Sequence, residues 1–523
     1  MIKTDVNLKI EYTQNDIKEA ISAVLPVPVS EIGEVLIVKQ ALDLSDTAKP
    51  RYRATVAFSA DPEREAGLLK YRRRVFAYQP PSYTAPASSL CFRPVVVGSG
   101  PAGLFAALVL AESGARPIIL ERGLPVEERS KSVNAFVHSG ILDTESNIQF
   151  GEGGAGTYSD GKLKVGSMDN YKMKVLSEFI EAGADPSIAY SQSAHLGTDK
   201  LPAIIKGIRE KIVSLGGEFI FSARFTYPVI VNGELRAVKY ERHGTECVID
   251  TRAVILAVGH SARDTIRKLC SIGLKMTPKG FGIGVRIEHP REYINSIVYR
   301  ESKDIIKQTA SYHLVTHLGS GRSVYSFCMC PGGTVVAAAS NNGGIVTNGM
   351  SEYNRMAENS NAALLVSVTP DDFGSPDALA GIALQEKIEK NAFNLTGSFR
   401  APSQSLASLL SGRAERGGIN PSYPLGTECI GIEKYMPEYI KESLLPAIED
   451  FDAWLSGYKL GDAVITGPET RTTSPVRMER DSLGRAVGFI GIYPAGEGAG
   501  YAGGIVSSAT DGIKQAEKLL ASF

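Results

Sequence analysis

Two glycine-rich stretches and a handful of charged and sulfur-bearing residues carry the chemistry this sequence can support. Gly98-Ser-Gly100-Pro101-Ala102-Gly103 directly follows the apolar run Pro94-Val-Val-Val97 and leads into a helical pattern from Leu104 to Glu112. Glycines at this spacing permit a tight turn, close approach of backbone to a pyrophosphate and close helix packing. The helix start adds free N–H groups and a positive dipole end. A second apolar run, Pro117-Ile-Ile-Leu120, ends at Glu121, where an acidic residue accepts hydrogen bonds from an adenosine ribose, and Arg122 adjoins the same expected contact. Strand, turn, helix and second strand together predict a dinucleotide site without choosing between NAD and FAD. Gly151-Glu-Gly153-Gly154-Ala-Gly156 has the same spacing, but no apolar helix follows it. It is expected to bring Gly153, Gly154 and Gly156 against a flat cofactor ring, an exposed flexible loop being the alternative.

The remaining candidates are charged residues and thiols. Glu469, Arg471, Ser474 and Arg477 cluster late in the chain. Their two guanidiniums could clamp a carboxylate or phosphate, or form an ion-paired hinge between domains. Asp160 and Lys162 could touch cofactor or substrate, or simply be solvated. Cys328-Met-Cys330 could relay electrons or bind metal, but with no second pair for zinc, structural burial is the expectation. His313 and His317, four apart, lack the intervening glutamate and a third ligand, so packing is expected there and no metal site.

Elements that would position these residues follow from the hydrophobic periodicity. Residues 90–280 alternate strands, helices and glycine turns, the texture of an α/β layered domain, with Ala253-Val-Ile-Leu-Ala-Val258 as a further buried strand ending at Gly259. Ser261-Ala-Arg-Asp264 is a capping-box candidate for the next helix. Residues 281–468 carry no phosphate-type motif and strands of irregular pattern, predicting an inserted α+β substrate or cap domain. Residues 469–523 return to the glycine-rich style and close the first domain. Residues 1–85 read as a separate small α+β unit, with a helix over Ile17 to Leu25 and strands at Val35–Val38 and Arg53–Phe58. A linker, Tyr78 to Ser89, follows it.

The closing segment selects the cofactor. Gly488 to Tyr493 leads into Pro494-Ala-Gly496-Glu497-Gly-Ala-Gly-Tyr-Ala-Gly503-Gly504, then a helix from Ile505, and this resembles the closing motif of glutathione-reductase-like FAD proteins. The resemblance implies FAD, with Gly496, Glu497, Gly503, Gly504 and Ile505 at the ribityl, pyrophosphate and ring end of the cofactor. Glu497 stands where the usual residue is Asp. Gly259 would approach the flavin, and His260, where many relatives carry Asp, is a structural or flavin-neighbouring group. Phe150 to Leu163, Gly197 to Leu201, Gly259 to Thr265, Cys328 to Gly333, Glu469 to Arg477 and Tyr493 to Ile505 together resemble a family of bacterial FAD-dependent dehydrogenases. That resemblance covers roughly residues 90 to 523 and implies an FAD-binding Rossmann-like, discontinuous domain.

Composition narrows the partners. In 523 residues, 56 basic side chains stand against 57 acidic ones for a net charge of −1, so nucleic acid is not an expected partner. The local cluster Arg72 to Arg74 leaves an RNA-modifying flavoprotein as a third reading. Six scattered cysteines suit a reducing cytoplasm, and no apolar run of about 18 residues predicts a membrane span. The reading that follows is an FAD-dependent oxidoreductase, with non-covalent FAD, acting on an unidentified small substrate for which an anion is a candidate. The alternative is a flavin-binding redox sensor or partner-binding protein. Electron donor or acceptor and oligomeric state carry no sequence signal.

Overall fold

Val95, Val96 and Val97 are buried, as a strand covered on both faces requires, and a computed structural model places them at the centre of a five-stranded parallel sheet. The structure describes residues 1–71, 73–163 and 168–523, so Arg72 of the expected basic cluster lies outside it. Strand order across this sheet is Ile492–Pro494, Val254–Leu256, Val95–Val97, Ile118–Leu120 and Glu218–Ile220. The first and last pieces of the domain thus share one sheet, separated by a single strand. A three-stranded antiparallel meander, Ala223–Val231, Glu234–Arg242 and Thr245–Asp250, adjoins it.

The opening helix, Pro101–Glu112, is buried from Ala102 through Ala111 and apolar on every side, because it is enclosed rather than laid on a surface. One neighbour is the closing helix, Ile505–Ala521. The two backbones meet so closely that a β-carbon at Gly512 would collide with the carbonyl oxygen of Ala102. A β-carbon at Gly103 would collide with the carbonyl of Gly98, which itself has φ +95°.

Residues 281–468 build a seven-stranded sheet, a far more regular body than the sequence suggested. Phe281–Pro290 lies at its centre, antiparallel to Asn359–Val368 along ten residue pairs and to Val464–Glu469 on its other side. Both central strands are buried on two faces, so neither shows the alternation that marks a half-exposed strand. Their apolar runs are also interrupted by Arg286, Glu288 and Asn361, buried polar side chains that hydrogen-bond one another or their neighbours. The N-terminal unit is a four-stranded antiparallel sheet, ordered Val35–Asp43, Arg51–Phe58, Ile2–Leu8 and Phe76–Ala77. Its helix Gln14–Val24 buries Ile17 and Ile21 and is capped reciprocally by Thr13 and Asp16. Among the described residues no helix is long and apolar enough to cross a membrane.

The helix contact makes a prediction. Gly512→Ala should cost about 1–3 kcal/mol through overpacking. Gly67→Ala, in the helix Pro62–Leu68 with nothing within 4 Å of the added carbon, should gain about 0.5–1 kcal/mol. Thermal unfolding of the two variants checks this; similar melting temperatures would mean that the crossing is not close-packed.

Candidate functional site

A cleft runs past the carboxyl ends of the parallel strands, where ligands of open α/β sheets bind. Its walls are the turn from Gly98 to Ala102, Glu121 and Arg122, Gly154 to Gly156, Gly259 to Ala262, Glu497, and the stretch from Gly503 to Ser508. Both the opening and the closing helix begin here. Their N-caps, Gly100 and Gly504, bring no side-chain hydrogen bond to the first turn, so backbone N–H groups are free for an anion. A β-carbon on Gly100 would lie 3.7 Å from the Gly154 Cα, an ordinary contact, so the protein itself does not demand glycine at this position. The imidazole of His260 also lines the cleft, with Nδ1 3.4 Å from Glu497 Oε1 and a buried Nε2 that has no partner among the described residues. Uncapped amides, a bare glycine and an orphaned polar atom in one wall fit an extended dinucleotide.

Two buried side chains hold the glycine loops in place. Glu121 Oε2 accepts from the Ser99 N–H (2.9 Å) and hydroxyl (2.7 Å), and Oε1 accepts from the N–H groups of Gly123 (2.9 Å) and Gly151 (3.1 Å). The residue expected to face a ribose therefore also ties three backbone segments together. Arg129, fully buried, donates to the carbonyls of Asn147 and Ile148 at 2.9 Å and to those of Gly151 and Glu152, wrapping the second glycine loop around one guanidinium. Nothing in its sequence neighbourhood marks Arg129, since four of its partners are backbone carbonyls, with the Thr157 hydroxyl and the Tyr158 ring beside them about 28 positions away. Gly153 N–H then donates to the Ser99 carbonyl at 2.9 Å, docking the second loop on the first. Gly103, Gly153 and Gly496 do not line the cleft. They permit close packing behind it, against Gly98, against Ile205 and Thr157, and against Ala102 respectively. Arg122 lies over the Phe150 ring at 4.1 Å and pairs with Glu145 and Asp264. That pairing accounts for the missing capping box: the helix Arg263–Ser271 has Ala262 as its N-cap, and the Ser261 hydroxyl donates to Gln149.

The late charged cluster is dispersed by the fold. Arg471 is buried against Glu389, which also takes a bidentate pair from Arg263 at 2.8 and 2.7 Å. This Arg263–Glu389–Arg471 network joins the first domain to the inserted helix Ala380–Thr396 and to the returning chain. Arg477 is exposed on the face of Tyr501 and lies outside the cleft, so the two arginines do not form a clamp. Arg471 is instead ion-paired between segments of the chain, with Glu389. Glu469 lines the cleft but is buried in a bidentate pair with Arg286, and Ser474 hydrogen-bonds backbone carbonyls of Val476 and Gly498. Asp160 is locked to Arg355 at 3.0 and 2.7 Å. Lys162, by contrast, lines the cleft, and its ammonium makes no hydrogen bond to the described residues; burial lowers its affinity for the proton. Phe327, Cys328, Asn348 and Thr472 complete this end of the cleft from the inserted sheet and the returning chain. His317 ends a short strand and is exposed, so it shares no helix with His313, and no cluster of metal ligands occurs among the described residues.

Two predictions follow from these contacts. Gly100→Ala should fold normally yet lose bound cofactor, whereas Gly103→Ala, which meets the Gly98 carbonyl as Gly512→Ala meets that of Ala102, should lose about 1–3 kcal/mol of stability; absorbance and thermal unfolding of the two purified variants separate these outcomes. Glu389→Ala would strand two buried guanidiniums and should cost about 3–5 kcal/mol. Burial raises the Glu389 carboxyl, but Arg263 and Arg471 outweigh it and hold the group well below 4.5. In acid the unfolded chain therefore binds the proton first. The stability difference between wild type and Glu389→Gln should be full at neutral pH and shrink as pH falls below about 4.5, which melting curves across that range will measure.

Comparison with known proteins places these features. A family model described as an FAD binding domain matches residues 93–147, and one described as the C-terminal-like domain of FAD-dependent proteins matches residues 280–472. A Clostridium beijerinckii protein described as uncharacterized is 40% identical over 531 aligned positions, covering 99% of this chain and 98% of its own. Among solved structures, a Cytophaga hutchinsonii flavoprotein/dehydrogenase aligns over 82% of this chain and 76% of its own, at 12% identity and a TM-score of 0.35. A 3-ketosteroid-delta4-(5alpha)-dehydrogenase from Rhodococcus jostii aligns over 84% and 100%, at 12% identity and a TM-score of 0.36. FAD is the cofactor of this chain, which belongs to the family of FAD-dependent proteins that it shares with the C. beijerinckii relative.

Proposed function

We propose that this chain is an oxidoreductase of the glutathione-reductase type, binding FAD without a covalent bond and acting on a small molecule admitted between the parallel-sheet domain and the inserted sheet. The observation that carries this reading is the convergence of two uncapped helix N-termini, from opposite ends of the domain, on one cleft. The opening helix and the turn Gly98 to Ala102 would receive the pyrophosphate, and Glu121 the ribose. Gly259, Glu497 and Gly503 to Ile505 would hold the ring end, where a helix N-terminus offsets the negative charge that gathers on reduction. Bound FAD supplies two-electron chemistry, and the protein supplies orientation and the substrate pocket.

On the substrate side, Lys162 is the cation that remains available, since Arg286 and Arg471 are committed to Glu469 and Glu389. An anionic substrate would be oriented by that ammonium. A panel of metabolites mixed anaerobically with the yellow protein should contain one class that bleaches the flavin. Lys162→Met should raise KM for an anionic member about ten- to hundredfold with kcat less affected, as expected for a charge-assisted hydrogen bond. No bleaching by any metabolite, with FAD bound, would contradict the catalytic reading. An unchanged KM would remove Lys162 from substrate binding.

A further inference from the structure

Within the inserted sheet, the ladder between Ser323–Cys330 and Asn359–Val368 is regular up to Phe327 and then shifts register before Cys330. Cys328 sits in this bulge with φ +42°, a left-handed conformation that is costly for a side chain with a β-carbon. Residues held in such conformations cluster at functional sites. Cys328 reaches the cleft wall beside Phe327, Asn348 and Lys162, while Cys330 is fully buried behind it, its sulfur 3.2 Å from the Cys328 carbonyl oxygen. A half-buried cysteine in the cleft wall, backed by a fully buried one, is the arrangement of an attacking and a resolving cysteine.

The charges around the pair favour the same division. Arg286 donates to the Cys328 carbonyl at 2.8 Å, and the charge of Lys162 acts on both thiols, while the nearby carboxylates of Asp160 and Glu469 are each neutralised by their own arginine. A hydrogen bond from Cys330, reinforced by Arg286 and Lys162, draws the Cys328 thiol down to about 6 despite burial. The same bond and burial push Cys330 up.

We propose that Cys328 and Cys330 are a redox-active dithiol working with FAD on a small organic disulfide. This rests on the oxidoreductase reading above. The Cys328 thiolate attacks one sulfur of the disulfide, forming a mixed disulfide and releasing one thiolate, which takes a proton from solvent. Cys330 loses its proton as its sulfur attacks Cys328 Sγ, releasing the second substrate sulfur, which takes up that proton, and leaving an internal disulfide. That disulfide is reopened by two electrons from reduced FAD, with two protons, so that one disulfide and one reduced flavin become two thiols and one oxidised flavin.

Counting electrons tests it. Holoprotein oxidised with hydroxyethyl disulfide and titrated anaerobically with dithionite should accept about four electrons per FAD, against about two for Cys328→Ser and Cys330→Ser, since each couple takes two. At pH 7, hydroxyethyl disulfide should also leave a stable mixed disulfide on Cys328 in the Cys330→Ser protein, visible by mass spectrometry without any turnover. A yellow wild type that accepts only two electrons, or no adduct on Cys328, overturns the dithiol while leaving the flavoprotein reading intact. A protein that retains no FAD overturns both.

Discussion

At Gly512 the closing helix lies on the opening helix with no space for a β-carbon above the carbonyl of Ala102. Much of the site depends on that contact. It fixes the separation of two helix starts that enter the chain at opposite ends of the domain, and both starts are left without side-chain caps. The strands that precede them lie in one sheet, with Val254–Leu256 between, so the same parallel register that buries Val96 and Ile255 also aims both helices at the cleft. A wider crossing would splay the two sets of amides, and one extended cofactor could not meet both.

Around this core the molecule uses buried charge as fastening. Glu121, Arg129 and the Arg263–Glu389–Arg471 network each join segments far apart in sequence. Taking such groups out of water is expensive, and an apolar substitute of equal shape is often as stable. Their directional hydrogen bonds do what apolar packing cannot, which is to set the position of glycine loops that have no side chains of their own to pack. The same economy of partners decides the substrate side: arginines matched with carboxylates leave Lys162 in the cleft wall, beside Cys328, without a carboxylate of its own among the described residues.

Where function demands a particular backbone, the sequence was readable. Gly98 and Gly103 are glycine because a β-carbon would strike backbone, and such constraints leave a residue-type signature that spacing alone reveals. The apolar strands Val95–Val97 and Val254–Leu256 were legible for a similar reason, being buried on both faces. Residues 281–468 were opaque because their sheet mixes buried polar side chains into its central strands, and pairs Phe281–Pro290 with segments about 80 and 180 positions away. Phe327, Cys328 and Asn348 reach the cleft through that non-local pairing, and Arg129 reaches its loop through carbonyls, so no local pattern announces them. The clamp and hinge alternatives could not be separated in the sequence because Arg471 and Arg477, near in sequence, point one into a buried network and the other onto the Tyr501 ring.

The central claim is that two helix starts grip the ends of one cofactor. A crystal structure of the yellow holoprotein tests it most directly. The account requires the pyrophosphate oxygens within hydrogen-bond distance of the first-turn amides of Pro101–Glu112, and the pyrimidine edge of the isoalloxazine at the first turn of Ile505–Ala521. FAD bound elsewhere, or touching just one of the two helices, would contradict it.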